Sequence, residues 1–366
     1  MNLATPMIEI LDHQTLPPID GFGFALTWGS VRAHLSYGSH KTESAVERAF
    51  RHKRQQHRRQ LSSNEYRSFG PERVRLFVRR PSPRETDPQL VKFSLQEDQK
   101  YVIPILKQIL AINPKIKILG SPWSAPAWMK TTGNVKGGSL KPEYYGAYAK
   151  YFAKYVQGMK AQGIHTDAIT VQNKPLNEKN TPSMTMSALE QTAFIKGHLG
   201  PTFKAAGIKT KILLFDHNCN QPDYAMEILN DPQANPWADS SAFHLYEGKI
   251  TAMSTVHDAF PDKNLYFTAY MAVEKMDKPT LMIGKHVSGT VIGAVRNWSR
   301  NVVLWNLAAD STFEPHTNNG GCPICQGAVT IESNEVTRNL AYYTIAHFSK
   351  LVRAGSHRLE SAGRSA

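Results

Sequence analysis

A (β/α)₈ barrel is the fold this sequence predicts, and three observations predict it. Short β-branched apolar runs alternate with helical patterns eight times along 366 residues, a length that suits one barrel of ~250 residues with an appendage. The runs are apolar throughout rather than alternating, as strands covered by helices on both faces require. They also end in polar or aromatic groups: the run 168–171 gives way to Gln172, Asn173 and Lys174 before Pro175 stops it. A parallel barrel keeps its chemistry at these carboxyl ends.

Residues 19–27 open with the turn Asp20-Gly21 and read as the first strand. Residues 31–84 then break the pattern. They hold 14 Lys and Arg against 4 Asp and Glu, a net +10 of the chain's formal +13. The stretch 51–60 is basic with no apolar face of either period, and its composition reads as a solvated or disordered loop. Regularity returns with a helix predicted over 94–110, capped by Ser94, with Tyr101, Ile105 and Ile109 on one face. A third strand at 116–121 runs into an aromatic loop. In the helix predicted over 141–163, Tyr144, Tyr148, Phe152, Tyr155 and Met159 recur at helical spacing and so belong to the core. The fourth strand, 168–171, is followed by a helix at 188–206, and further strands are predicted at 210–216, 241–246, 264–268 and 301–307. A last helix is predicted over 336–351.

Composition excludes several classes. No run approaches ~18 apolar residues, so no membrane span is expected. The first twenty residues lack the basic start and apolar stretch of a signal peptide, which implies either a cytoplasmic protein or a missing true N-terminus. Cys219, Cys322 and Cys325 are too few for a disulfide framework. Cys322-Pro323-Ile324-Cys325 has no second ligand pair at a matching spacing, so it reads as a small buried turn rather than half a metal site. A basic chain usually suggests nucleic acid, but here the charge is confined to one segment and no nucleic-acid partner is expected.

Seven motifs carry a resemblance. Ile19-Asp20-Gly21-Phe22-Gly23 precedes Thr27. Ser121-Pro122-Trp123-Ser124 precedes Pro126, Trp128, Met129 and Lys130. Gln172-Asn173-Lys174-Pro175, Asp216-His217-Asn218, His244 with Tyr246, Tyr266-Phe267-Thr268 and Trp305-Asn306-Leu307 each end a predicted strand. Over residues 19–30 and 85–362 the chain resembles glycoside hydrolase family 30, of the glucosylceramidase type. The resemblance implies retaining hydrolysis of β-glucosidic bonds in carbohydrate or sphingolipid metabolism, a β-glucoside or glucosylceramide-like substrate, no cofactor, and a family often secreted or lysosomal. It also implies a (β/α)₈ barrel at 19–351 with a truncated β-sandwich side domain, of which 1–18 and 352–366 are remnants. The strand at Arg358 would then keep an unpaired edge. By the same resemblance Trp123, Asn173, His244, Tyr246 and Trp305 are substrate-binding, with the two tryptophans facing the sugar and His244 positioning a neighbour.

The sequence departs from the family at the two places that matter most. Lys174 stands at the position of the acid/base glutamate, and Ala269 at that of the nucleophilic glutamate. A retaining mechanism needs two carboxyl groups about 5–5.5 Å apart. Alanine offers no nucleophile, and a lysine near its usual pKa of ~10.4 is a poor proton donor at neutral pH. Glu178 and Glu274 lie beyond the strand ends. The expectation is an inactive or strongly impaired hydrolase, with two alternatives: a sugar-binding pseudoenzyme using Trp123, Asn173, Tyr246 and Trp305, and Schiff-base chemistry by a desolvated Lys174. The basic segment has its own sharper reading. Back-translated with suitable synonymous codons and read one base later, 51–70 yields a run resembling the family's second strand with its sugar-holding aspartate, a reading that the coding DNA tests.

Overall fold

The structure is a computed structural model and describes residues 7–27, 73–78, 86–273, 282–332 and 335–364. Eight parallel strands close into a barrel in sequence order: β2 (Gly21–Leu26), β3 (Arg73–Val78), β4 (Lys117–Pro122), β5 (Ala168–Thr170), β6 (Lys211–Asn218), β7 (Ala238–His244), β8 (Asn264–Ala269) and β9 (Ser299–Leu304). β9 returns to β2 with Gly21 opposite Asn301, which completes the ring. The (β/α)₈ fold expected from the sequence is the fold observed.

The continuous apolar runs are explained by which neighbour each face meets. Leu119, Ala168, Leu213, Ala242 and Tyr266, one from each of β4 to β8, form a buried cluster of their own. Ile118, Ile169, Ile212, Phe243 and Leu265, the residues beside them, join the larger cluster under the helices. Successive side chains of a strand point to opposite faces, so one set fills the barrel and the other packs outward.

Three elements differ from the sequence reading. The second barrel strand lies inside the basic segment: β3 pairs with β4 from Arg73 opposite Lys117 to Val78 opposite Pro122. Its Val74, Leu76 and Val78 alternate with Arg73, Arg75 and Phe77 in a surrounding composition so basic that the short run was masked. The remainder of 31–84, including the 51–60 run and the frame-shifted reading of 51–70, lies outside the described residues. The helix expected over 94–110 is two, α1 (Gln96–Lys100) and α2 (Val102–Ile112), with a break at Tyr101. Pro104 has no N–H to give to the carbonyl four residues back at Lys100, which removes the bond that would bridge them. Ser94 Oγ does accept from Gln96 N, at 3.0 Å. The helix expected over 336–351 begins only at Leu340, because Glu335–Arg338 is a strand, β12, paired with Val329–Glu332 (β11), which also pairs with Ala308–Ala309 (β10), and Val336 stands opposite Ile331.

Other expectations hold at residue level. The helix after β5 starts at Ala188 under a capping box: Ser187 Oγ accepts from Glu190 N at 3.2 Å, and Ser187 N donates to Glu190 Oε2 at 2.6 Å. The helix runs through Gly200, where a Cβ would lie 2.2 Å from Trp237 Cδ2. Gly200→Ala should therefore cost about 1–3 kcal/mol by overpacking, read as a lowered denaturant midpoint.

Outside the barrel, β1 (Met7–Pro18) pairs antiparallel with β13 (His357–Arg364). The strand at Arg358 is therefore paired with β1 on one side, and in this two-stranded sheet its other edge carries no strand among the described residues. The Arg358 guanidinium lies 5.5 Å over Trp298, whose ring also stacks on His257 at 3.6 Å. Cys322 and Cys325 form a disulfide, a correction to the plain turn expected; their spacing brings the Cα atoms to 5.5 Å, within bridging reach. No described helix is long and apolar enough to cross a membrane.

Candidate active site

The polar ends of β4 to β9 converge at the carboxyl face of the barrel, on a floor built around Asp216. This carboxylate is fully buried at the end of β6. Its Oδ1 accepts from Thr268 Oγ1 at 2.6 Å and from His244 Nε2 at 2.9 Å, and its Oδ2 accepts from Ser121 Oγ at 3.0 Å. Ser121 Oγ also lies 2.6 Å from Thr170 Oγ1. Five strands, β4 to β8, are thus tied to one another by side chains in the barrel mouth. A buried charge is tolerable only when partnered in this way.

The seven strand-end residues named from the sequence, Trp123, Asn173, Lys174, His244, Tyr246, Ala269 and Trp305, lie at this face. Trp123 and Trp305, at the ends of β4 and β9, approach to 5.4 Å between ring centroids. Asn173 is 5% exposed, and its backbone N–H is fixed by Pro122 O at 2.8 Å. Lys174 has φ +51° and donates its backbone N–H to Asp216 O at 2.9 Å, while its Nζ sits 4.4 Å over the Tyr246 ring. The aromatic ring edge of Tyr246 meets His244 at 6.0 Å. Ala269 is buried and opposite His244 in the β7–β8 register. Its methyl group carries neither charge nor hydrogen-bonding capacity.

Other contacts fix the mouth's loops. Gln172 Nε2 donates to Trp123 O at 2.7 Å, which joins the fourth strand's end to the aromatic wall. Lys130 is wholly buried, and its Nζ donates to the carbonyls of Asn134 (2.8 Å), Val135 (3.2 Å) and Ser183 (2.7 Å), so the lysine of the aromatic loop motif is a scaffold for the loops and not a charge offered to ligand. Glu178 is exposed in the loop after β5, with its Oε2 beside Gly137. Glu274 lies outside the described residues.

Sequence reasoning missed Asp216 as the hub, together with its donors Ser121 and Thr268, and it missed His217. The signal was present: polar residues at 121, 170, 216 and 268 interrupt otherwise apolar strands. His217 is 8% exposed, and neither ring nitrogen has a hydrogen-bond partner. Burial first, then the Lys174 ammonium, push its pKa from 6.5 down to about 4, against a smaller upward pull from Asp216. The folded protein thus holds this imidazole neutral. The unfolded chain binds the extra proton between pH 6.5 and 4, so His217 stabilises the fold fully above pH 6.5 and that contribution is lost as pH falls toward 4. It amounts to about 3 kcal/mol. His217→Gln should accordingly flatten the dependence of urea stability on pH over that window relative to the parent chain.

The comparisons agree with this architecture. The glycosyl hydrolase family 30 TIM-barrel domain model matches residues 72–352. The endo-1,6-β-D-glucanase neg1 of Aspergillus fumigatus is 34% identical over 297 residues, covering 76% of this chain and 59% of that protein. The lysosomal acid glucosylceramidase of Mus musculus is 27% identical over 313 residues, covering 78% of this chain and 59% of that protein. The chain therefore spans less than two thirds of the length of these relatives. Among solved structures, the endo-β1,6-glucanase BT3312 superposes with a TM-score of 0.85 at 32% identity, over 98% of this chain and 82% of that one. With its closed eight-stranded barrel, its polar mouth and these matches, the chain belongs to glycosyl hydrolase family 30.

Proposed function

We propose that this chain binds a β-linked glucan, of the β-1,6 type, at the barrel mouth without hydrolysing it. The observation that carries the reading is a contrast within one site. The aromatic wall of Trp123 and Trp305 and the Asp216 floor are in place, while the ends of β5 and β8 present Lys174 and Ala269. Flat aromatic faces suit the C–H face of a pyranose, and the Asn173 side chain supplies an amide for its hydroxyls. Nothing at 269 can attack an anomeric carbon, so a double-displacement cycle has no first step. For the glycan, the 32–34% identity to three fungal endo-1,6-β-glucanases favours β-1,6-glucan over glucosylceramide, the substrate type first expected, whose enzymes match at 27–29%.

The test is a tryptophan-fluorescence titration of the purified chain with β-1,6-linked gluco-oligosaccharides, run beside a reducing-sugar assay. Saturable quenching with no released sugar is expected. Hydrolysis by a preparation free of host glycosidase would show that Lys174 and Ala269 do not occupy the two catalytic positions. Absence of any binding would remove the lectin-like reading.

A further inference from the structure

We propose that the barrel mouth continues, beyond Tyr246, into a further glucosyl subsite built by Tyr270 and His286, which holds the next units of a β-1,6-linked chain; this rests on the sugar-binding reading above. Three rings follow one another away from the floor. Tyr246, at the end of β7, lies 5.7 Å from Tyr270 between ring centroids, and Tyr270 lies 6.1 Å from His286 in the helical turn Ile283–His286. The row begins at the floor itself, because Tyr246 meets the ring of His244, which bonds to Asp216.

None of the three rings is fully buried. Tyr246 is 37% exposed, and Tyr270 and His286 are half-buried, whereas Phe215, Phe243 and Phe267 on the neighbouring strands are completely enclosed. Adjoining aromatic surface left in water, continuous with a cleft, is the mark of a ligand-binding groove. The row is also held in place before any ligand arrives. Trp305 N–H donates to Tyr270 O at 2.8 Å, and Met271 bridges to Trp305 in parallel, so the ends of β8 and β9 tie Tyr270 to the tryptophan wall. A platform fixed in this way costs little ordering on binding. Its shape favours one linkage. Successive rings are inclined at 50° and 44°, which makes the surface bent rather than flat. A 1,6 linkage adds the rotatable C5–C6 bond to the path of the chain, so consecutive pyranose rings can turn to follow inclined faces. A straight β-1,4 chain cannot lie along both.

Isothermal titration of the full chain with methyl β-D-glucoside and with the β-1,6-linked glucose dimer, trimer and tetramer tests this, with the β-1,4-linked tetramer run beside them. Affinity should rise about tenfold from the dimer to the β-1,6 tetramer, the gain that one or two added aromatic contacts supply, and far less for the β-1,4 tetramer. Tyr270→Ala should abolish that rise, so that its cost grows with chain length. Tyr270→Phe should keep it, and His286→Ala should weaken the tetramer more than the dimer, each variant first shown to melt cooperatively. Length-independent affinity in the parent chain, an equal loss at every length in Tyr270→Ala, or an equal gain from the β-1,4 tetramer overturns the proposal while leaving sugar binding intact. No binding of any of these ligands overturns it together with the sugar-binding reading.

Discussion

Changing both Lys174→Glu and Ala269→Glu should convert the chain into a β-glucan hydrolase with retained anomeric configuration, the largest effect expected of any substitution here. Lys174 and Ala269 end β5 and β8 on either side of the Asp216 floor, so two glutamates there would flank one cleft. In a double displacement the nucleophile and the acid/base act in one sequence of steps, and neither substitutes for the other. Ala269→Glu alone should form a glycosyl-enzyme from an aryl glucoside with a good leaving group, whose departure needs little proton donation. With lysine at 174 no base then activates water, and the adduct should persist in intact-protein mass spectra. Lys174→Glu alone should give neither adduct nor product. Between the Ala269→Glu single variant and the double variant, turnover should rise by roughly 10²–10⁴-fold, the range that general acid–base groups contribute. A double variant without activity, yet folded and still binding glucan, would mean that these two positions are not the catalytic pair.

The second large effect concerns stability. Asp216→Ala should lower the unfolding free energy by about 3–5 kcal/mol, because removing one member of a buried charged network leaves the others without partners. Ser121, His244 and Thr268 each lose an acceptor in a place water does not reach, since all three are fully buried. Asp216→Asn should cost less, as its carbonyl oxygen still accepts from part of the set, although its amide now opposes one donor. Urea melts of the two variants give the ordering. Equal, small losses in both would mean that the network contributes little and that barrel packing alone holds the mouth.

Much of this molecule was legible in one dimension. Residues 168–171 and 264–268 read as strands because a strand covered on both faces must be apolar at every position, and such a run is visible in sequence. That residues such as Asn173, Tyr246 and Trp305 stand at strand ends follows from where the apolar runs stop, whereas a role toward a substrate was implied only by the family resemblance. The break at Tyr101 was also written locally, in Pro104, although the helical periodicity around it was the louder signal. Other features were settled only when the barrel closed. Arg73–Val78 is a strand because β2 and β4 supply ladders on both sides, and its own composition argues for a loop. Asp216 became a hub through partners 95, 52 and 28 residues away in sequence, and His217 lost its proton affinity through burial and a lysine 43 positions earlier. Apolar periodicity is a property of neighbouring residues and survives in the sequence. Hydrogen-bond satisfaction, desolvation and charge coupling are sums over whatever the fold brings within a few ångströms, and only the tertiary structure decides which residues those are.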